Sequence, residues 1–167
     1  MRTLPDSELI ELARLDDRAA FATLLRRYDR RMRGLAYRLL ADRAAMDDVL
    51  HEAYLAAHRS LDRVRPIGDA PGWLLRLTYN ACVDALKADD DRGRIDDEDD
   101  QVGAAEVVRV ALRDLPVDQR VSLALVDGEG FSSAEVAGIL GVSVRTVASR
   151  LGRARTTVRS ILEADLR

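Results

Sequence analysis

The chain of 167 residues holds one cysteine, Cys82, so it can close no internal disulfide and offers no paired thiols for a redox or zinc centre. No basic start leads into an apolar run, and no apolar run is long enough to cross a bilayer. We therefore expect no export signal, no membrane insertion and a cytoplasmic protein. The motifs of common catalysts are also missing: there is no P-loop, no His-Glu-x-x-His and no nucleophile elbow. The two histidines, His51 and His58, stand seven residues apart without a third metal ligand nearby. They read as surface or packing residues and Cys82 as a small buried hydrophobe. We expect no enzyme, no metal and no cofactor. No segment before residue 89 alternates with the period of a strand, and no internal repeat is present.

What is there is charge, unevenly spread. The chain carries 29 acidic and 26 basic residues, a formal net charge of −3. Residues 1–88 hold 15 basic and 13 acidic groups, residues 89–106 hold 2 and 9, and residues 107–167 hold 9 and 7. The acidity thus lies in the middle, at net −7, between two stretches of net +2. That middle, "DDDRGRIDDEDDQVG", has no aromatic and only Ile95 and Val102 as apolar side chains, so it repels itself and is predicted to be an extended, flexible linker.

Apolar residues before the linker recur at three- and four-residue steps. Phe21, Leu24, Leu25, Tyr28, Met32, Leu35, Ala36 and Leu39 predict a long helix from about Asp17, its cap, to Ala41. Met46, Val49, Leu50, Ala53, Tyr54 and Ala57 predict a second. Trp73, Leu74, Leu77, Ala81 and Leu86 predict a third, entered through Asp69 and Pro71, and a short helix near residues 7–15 precedes them all. Such stripes are buried only by packing on one another, as a bundle.

After the linker, helical patterns cover about 104–114, 117–126, 132–140 and 143–162. Pro116 opens the second, Gly128 and Gly130 interrupt the chain, Ser132 and Glu135 fit a capping box, and Ser143 stands at the N-cap of the last. The last two helices are joined by a three-residue turn around Gly141, with Ala137 where they cross, which describes a helix-turn-helix. The final helix lies in "GVSVRTVASRLGRARTTVRS", residues 141–160, which contains five arginines and no acid. On its wheel Val144, Val147, Leu151, Ala154 and Val158 should point inward, leaving Arg145, Ser149, Gly152, Arg153 and Thr156 outward. Arginine grips guanine edges or phosphates with two donors, small hydroxyls reach either, and a carboxylate there would be repelled by phosphate. Arg145, Thr146, Ser149 and Arg153 are expected at base edges, Arg155 and Arg159 at flanking phosphates, and Arg150 between the two. The expected fold is all-α: a helical bundle at 1–88, an acidic linker at 89–106, and a helix-turn-helix domain at 107–167.

This ordered pair resembles a bacterial RNA polymerase sigma factor of the extracytoplasmic-function group of the sigma-70 family. "LPVDQRVSLALVDGEGFSSAEVAGILGVSVRTVASRLGRAR", residues 115–155, is similar to that family's promoter-reading fourth region. "DDVLHEAYLAAHRSLDR" followed by "GWLLRLTYNACVDALK" is similar to its second region. The resemblance implies that the helix bearing Asp48, Glu52, Tyr54 and Leu55 docks on core RNA polymerase, with His51 where the family usually has glutamine. It implies further that residues 61–87 hold an unstacked promoter base, for which Arg63, Arg65, Arg76 and Asn80 are the candidates, binding energy offsetting the few kcal/mol of extrusion. Trp73 falls within the apolar repeat and is expected as a buried anchor. The segment after Asn80, "ACVDALKADDD", is acidic where the family is usually rich in arginine.

As implied partners there are core RNA polymerase, promoter DNA and an anti-sigma factor. The linker would run through the polymerase channel, where carboxylates can mimic phosphate. Two alternatives stay open on the residues alone: a conventional helix-turn-helix transcriptional regulator, and a polymerase-associated factor without promoter-opening activity.

Overall fold

A computed structural model describes residues 3–64, 69–92 and 111–167, with residues 89–92 as backbone only. Arg65 and the linker from residue 93 onward lie outside the described residues. Among the described residues every regular element is helical, so the fold is all-α. Four helices form the first unit: α1 (Asp6–Arg14), α2 (Arg18–Leu40), α3 (Arg43–Ser60) and α4 (Ala70–Arg92), with a 3-10 turn at Leu61–Arg63. The second unit is helical at 111–114 and continues with α5 (Val117–Leu123), a π-helical turn (Ala124–Gly128), α6 (Ser133–Leu140) and α7 (Val144–Asp165).

Local chemistry sets these boundaries. Asp17 caps α2 by accepting from the Ala20 N–H at 3.0 Å, and Ala41, at φ 52°, ends it in the left-handed region. Asp42 immediately opens α3, accepting from Ala44 and Ala45 N–H groups at 2.9 and 3.3 Å. The expected helix at 117–126 instead widens into a π turn after Leu123. The backbone of α4 runs on into the acidic stretch as far as Arg92, beyond the expected boundary at residue 88.

The bundle does not close on itself. One apolar cluster joins Leu35, Leu39, Leu50, Leu74 and Leu75 of the first unit to Val121, Leu125, Phe131, Val136, Ile139 and Val147 of the second. A smaller one gathers Leu9, Ile10, Ala20, Leu24, Val64 and Ala70, with Trp73 packed against both. Polar groups stitch the seam between the units. Arg120, buried at 7% exposure, donates from Nη1 to the Leu39 carbonyl at 2.9 Å and from Nη2 to the carbonyls of Arg113 and Leu115 at 2.8 and 3.0 Å. Glu129, with a side chain only 10% exposed, pairs with Arg38 and lies 3.8 Å from Arg31. The Arg31 guanidinium in turn sits 4.6 Å from the centroid of the Phe131 ring. Gly34 allows the approach: a β-carbon there would meet the Glu129 carboxylate at 2.9 Å.

Candidate nucleic-acid interface and docking face

The helix-turn-helix is built from caps outward. Ser132 accepts from the Glu135 N–H at 3.1 Å while Glu135 accepts from the Ser132 N–H at 3.2 Å, the reciprocal box that starts α6. Gly141, at φ 68°, takes the left-handed turn that an L side chain would strain. Ser143 then caps α7, accepting from the Thr146 N–H at 3.1 Å, and the two hydroxyls lie 2.8 Å apart. Thr146 is therefore half-buried and engaged at the helix start.

Val147, Leu151 and Ala154 are buried as expected and Val158 is half-buried. Val144 departs from the expectation, at 50% exposure. It is the first residue of α7, where the helix has just left its turn, and its side chain stays in water despite a correct wheel angle. Arg145, Ser149, Gly152, Arg153, Thr156 and Arg159 are all exposed. The five arginines divide electrostatically. Arg155 donates from Nε and Nη2 to both oxygens of Asp127, at 3.1 and 2.6 Å, and this fork favours its charged form further. Arg150 lies 3.3 Å from Asp118. Among the described residues, Arg145, Arg153 and Arg159 have no ion-pair partner. Asp118 and Asp127 escape notice in the sequence because their partners stand 28 or more residues away, beyond any helical spacing.

A second surface lies on α3. Asp48, His51, Glu52 and Leu55 are exposed along one stripe, at spacings of three and four, and Leu55 keeps 36% of its surface in water. Tyr54 falls off this stripe. It is half-buried and its hydroxyl donates to Asp29 on α2, which also accepts from Arg33 Nε at 2.8 Å; Arg33 Nη1 reaches Asp47 at 3.1 Å. Burial and the carboxylate neighbour push the Tyr54 hydroxyl up to about 12, so it stays a donor. Tyr54 ties α3 to α2. Replacing it with phenylalanine should cost about 1.5–3 kcal/mol, the usual worth of a bond to a charged acceptor, measured by urea unfolding.

Arg63 is exposed in the 3-10 turn, and Arg76 and Asn80 are exposed four residues apart on α4. Arg76 abuts the helix-turn-helix: a β-carbon on Gly141 would lie 3.8 Å from its Nη2. Trp73 packs against both apolar clusters but is half-buried rather than buried as expected, because it sits at their edge. Burial pushes the Cys82 thiol up to about 12, consistent with a small apolar residue. His51 is exposed, and exposed His58 meets the Phe21 ring edge-on at 5.5 Å. Among the described residues no helix is long and apolar enough to cross a membrane, and no group of three His, Cys, Asp or Glu could hold a metal ion.

Two family models match the chain: Sigma-70 region 2 over residues 24–92 and Sigma-70 region 4 over residues 105–158. The ECF RNA polymerase sigma factor SigM of Mycobacterium tuberculosis is 36% identical over 165 residues, covering 94% of this chain and 84% of that one. The ECF RNA polymerase sigma-E factor of Escherichia coli K12 is 29% identical over 178 residues, covering 93% of each. Among solved structures, CnrH in complex with the cytosolic domain of CnrY is similar at a TM-score of 0.75 and 27% identity, over 96% of this chain and 98% of that one.

Proposed function

Because the chain belongs to the ECF sigma factors of the sigma-70 family, which serve transcription initiation, we propose that it docks on core RNA polymerase through α3 and delivers it to promoters read by α7. One observation carries the reading: a single chain presents both an exposed basic face, with Arg145, Arg153 and Arg159 on a capped helix-turn-helix, and a separate exposed stripe of Asp48, His51, Glu52 and Leu55. A soluble regulator needs only the first. Arg145, Ser149 and Arg153 reach base edges, with Thr146 at the start of the helix; Arg159 meets phosphate, and Arg150 and Arg155 do so in exchange with Asp118 and Asp127. Arg63, Arg76 and Asn80, with Arg65, hold the opened strand. No bond is made or broken by these side chains; binding energy drives opening, in the cytoplasm where the chromosome and polymerase are. CnrH was solved with a protein partner, and a comparable anti-sigma protein is proposed to restrain this chain.

Run-off transcription with purified core polymerase and genomic fragments tests the reading. Initiation at sites that core alone ignores supports it; a protein that binds a symmetric operator and leaves core unchanged is a conventional regulator instead. Within the reading face, Arg153→Ala should weaken the preferred upstream element by about 1–3 kcal/mol and relax one base position. Arg159→Ala should weaken all sequences alike and lower the salt slope by roughly one. Titration of single-base promoter variants at two salt concentrations separates the two, and the reverse pattern would show the faces misassigned.

A further inference from the structure

We propose that Arg14, on the first helix, is a positioning residue for promoter opening; the proposal rests on the reading of Arg63, Arg76 and Asn80 given above. The Arg14 guanidinium donates from Nε to the Leu61 carbonyl at 2.9 Å and from Nη2 to the Val64 carbonyl at 3.1 Å, while Nη1 holds Glu11 at 2.8 Å. The two carbonyls bracket Asp62 and Arg63. Leu61 and Val64 are buried and Asp62 and Arg63 exposed, so the grip fixes the frame from which Arg63 projects.

The same wall holds the entry to α4. Val64 clusters with Leu9 and Ile10 of α1, with Ala70 of α4, and with Trp73 packed against them. Asp69 caps α4 by accepting from the Gly72 N–H at 3.3 Å. Both chain ends flanking residues 65–68 are thus set against one support, and Arg14 is its polar member. Leu61 also caps the C-terminal end of α3, where carbonyls lack helical donors and a cation is favoured. Arginine meets the two carbonyls from two separate nitrogens of one rigid plane, whereas lysine would have to serve both from a single rotatable ammonium.

The role is separable from holding α1 in place. That helix is docked independently by buried Leu9, Ile10 and Ala13, and by Asp6, which accepts from Arg27 and Tyr28. Removing the guanidinium should leave α1 packed and loosen the turn, and small misplacement of binding groups has large effects on a prepared site.

The test uses holoenzyme assembled from core polymerase and the full chain, on a promoter recovered by run-off transcription. Wild type, Arg14→Met, which keeps the apolar stem, and Arg14→Lys are compared for binding to the single non-template strand, for permanganate reactivity of opened thymines, and for binding to the duplex upstream element. We expect Arg14→Met to lose roughly tenfold in single-strand affinity and in opened fraction, with upstream binding and core retention unchanged. Arg14→Lys should recover only part. Opening by Arg14→Met equal to wild type overturns the proposal, as does an equal loss of core, upstream and single-strand binding, which marks a merely structural residue. Full recovery by Arg14→Lys overturns the two-carbonyl grip. A wild-type holoenzyme that opens no promoter sinks the sigma reading itself, a result distinct from all of these.

Discussion

Replacing Arg120 with methionine is expected to lower the thermal midpoint by roughly 6–12 °C, the equivalent of about 3 kcal/mol in a chain of this size. The methionine retains length and apolar stem, so the loss isolates the guanidinium. Three carbonyls, the buried ones of Leu39 and Leu115 and the part-buried one of Arg113, would lose this donor, at about 1–3 kcal/mol for each buried group. Relief from desolvating a cation offsets part of that sum. Leu39 lies in the last turn of α2, where a carbonyl has no helical partner and the helix dipole favours positive charge, so the contact is chemically matched. Arg38→Met should behave differently. Its side chain is 37% exposed although its partner Glu129 is not, and with Arg31 still 3.8 Å from that carboxylate its loss should cost less than that of Arg120, about 1–2 kcal/mol. Paired melting curves decide the matter: equal losses would show that the seam rests on the Glu129 ion pair, and a negligible Arg120 effect would show that apolar contacts alone hold it.

The contrast between these two arginines shows what a sequence pattern can carry. Periodicity located the helices because burial acts on residues three and four apart. Capping located Asp17, Ser132 with Glu135, and Ser143, because the cap and its N–H lie within three positions. The outward face of α7 followed from the same short-range geometry. The seam did not: Arg120 meets Leu39 across 81 residues and Arg38 meets Glu129 across 91, and each reads locally as a solvated surface charge. End effects escaped for a similar reason. Val144 has the right angle for burial but stands at the first position of α7, and no local signal in the sequence marks the widening at Ala124–Gly128. Tyr54 belongs to the apolar repeat, and its hydroxyl bond to Asp29 on α2 is a tertiary contact across 25 residues that the repeat does not record.

Reversing Asp48 and Glu52 together to arginine is expected to abolish co-purification with core RNA polymerase, a loss of at least about a thousandfold in affinity. Both side chains are exposed on α3, one turn apart, with His51 beside them and Leu55 one turn further on. In the proposed docking, Leu55 is the apolar centre and the rim carboxylates set orientation. Two reversals change the local charge by four and set cations against whatever basic groups the carboxylates faced, where like-charge contacts cost several kcal/mol. The fold should survive, since exposed substitutions away from caps and core usually stay within about 0.5 kcal/mol. Tyr54→Phe supplies the graded comparison, because it breaks the link to Asp29 and leaves the stripe intact. It should bind core nearly as wild type does, while the double reversal does not. Retained binding by the reversed variant, with unchanged helical content, would move the docking face off α3. A Tyr54→Phe variant as defective as the reversal, at an unchanged melting temperature, would instead place the tyrosine hydroxyl in the interface itself.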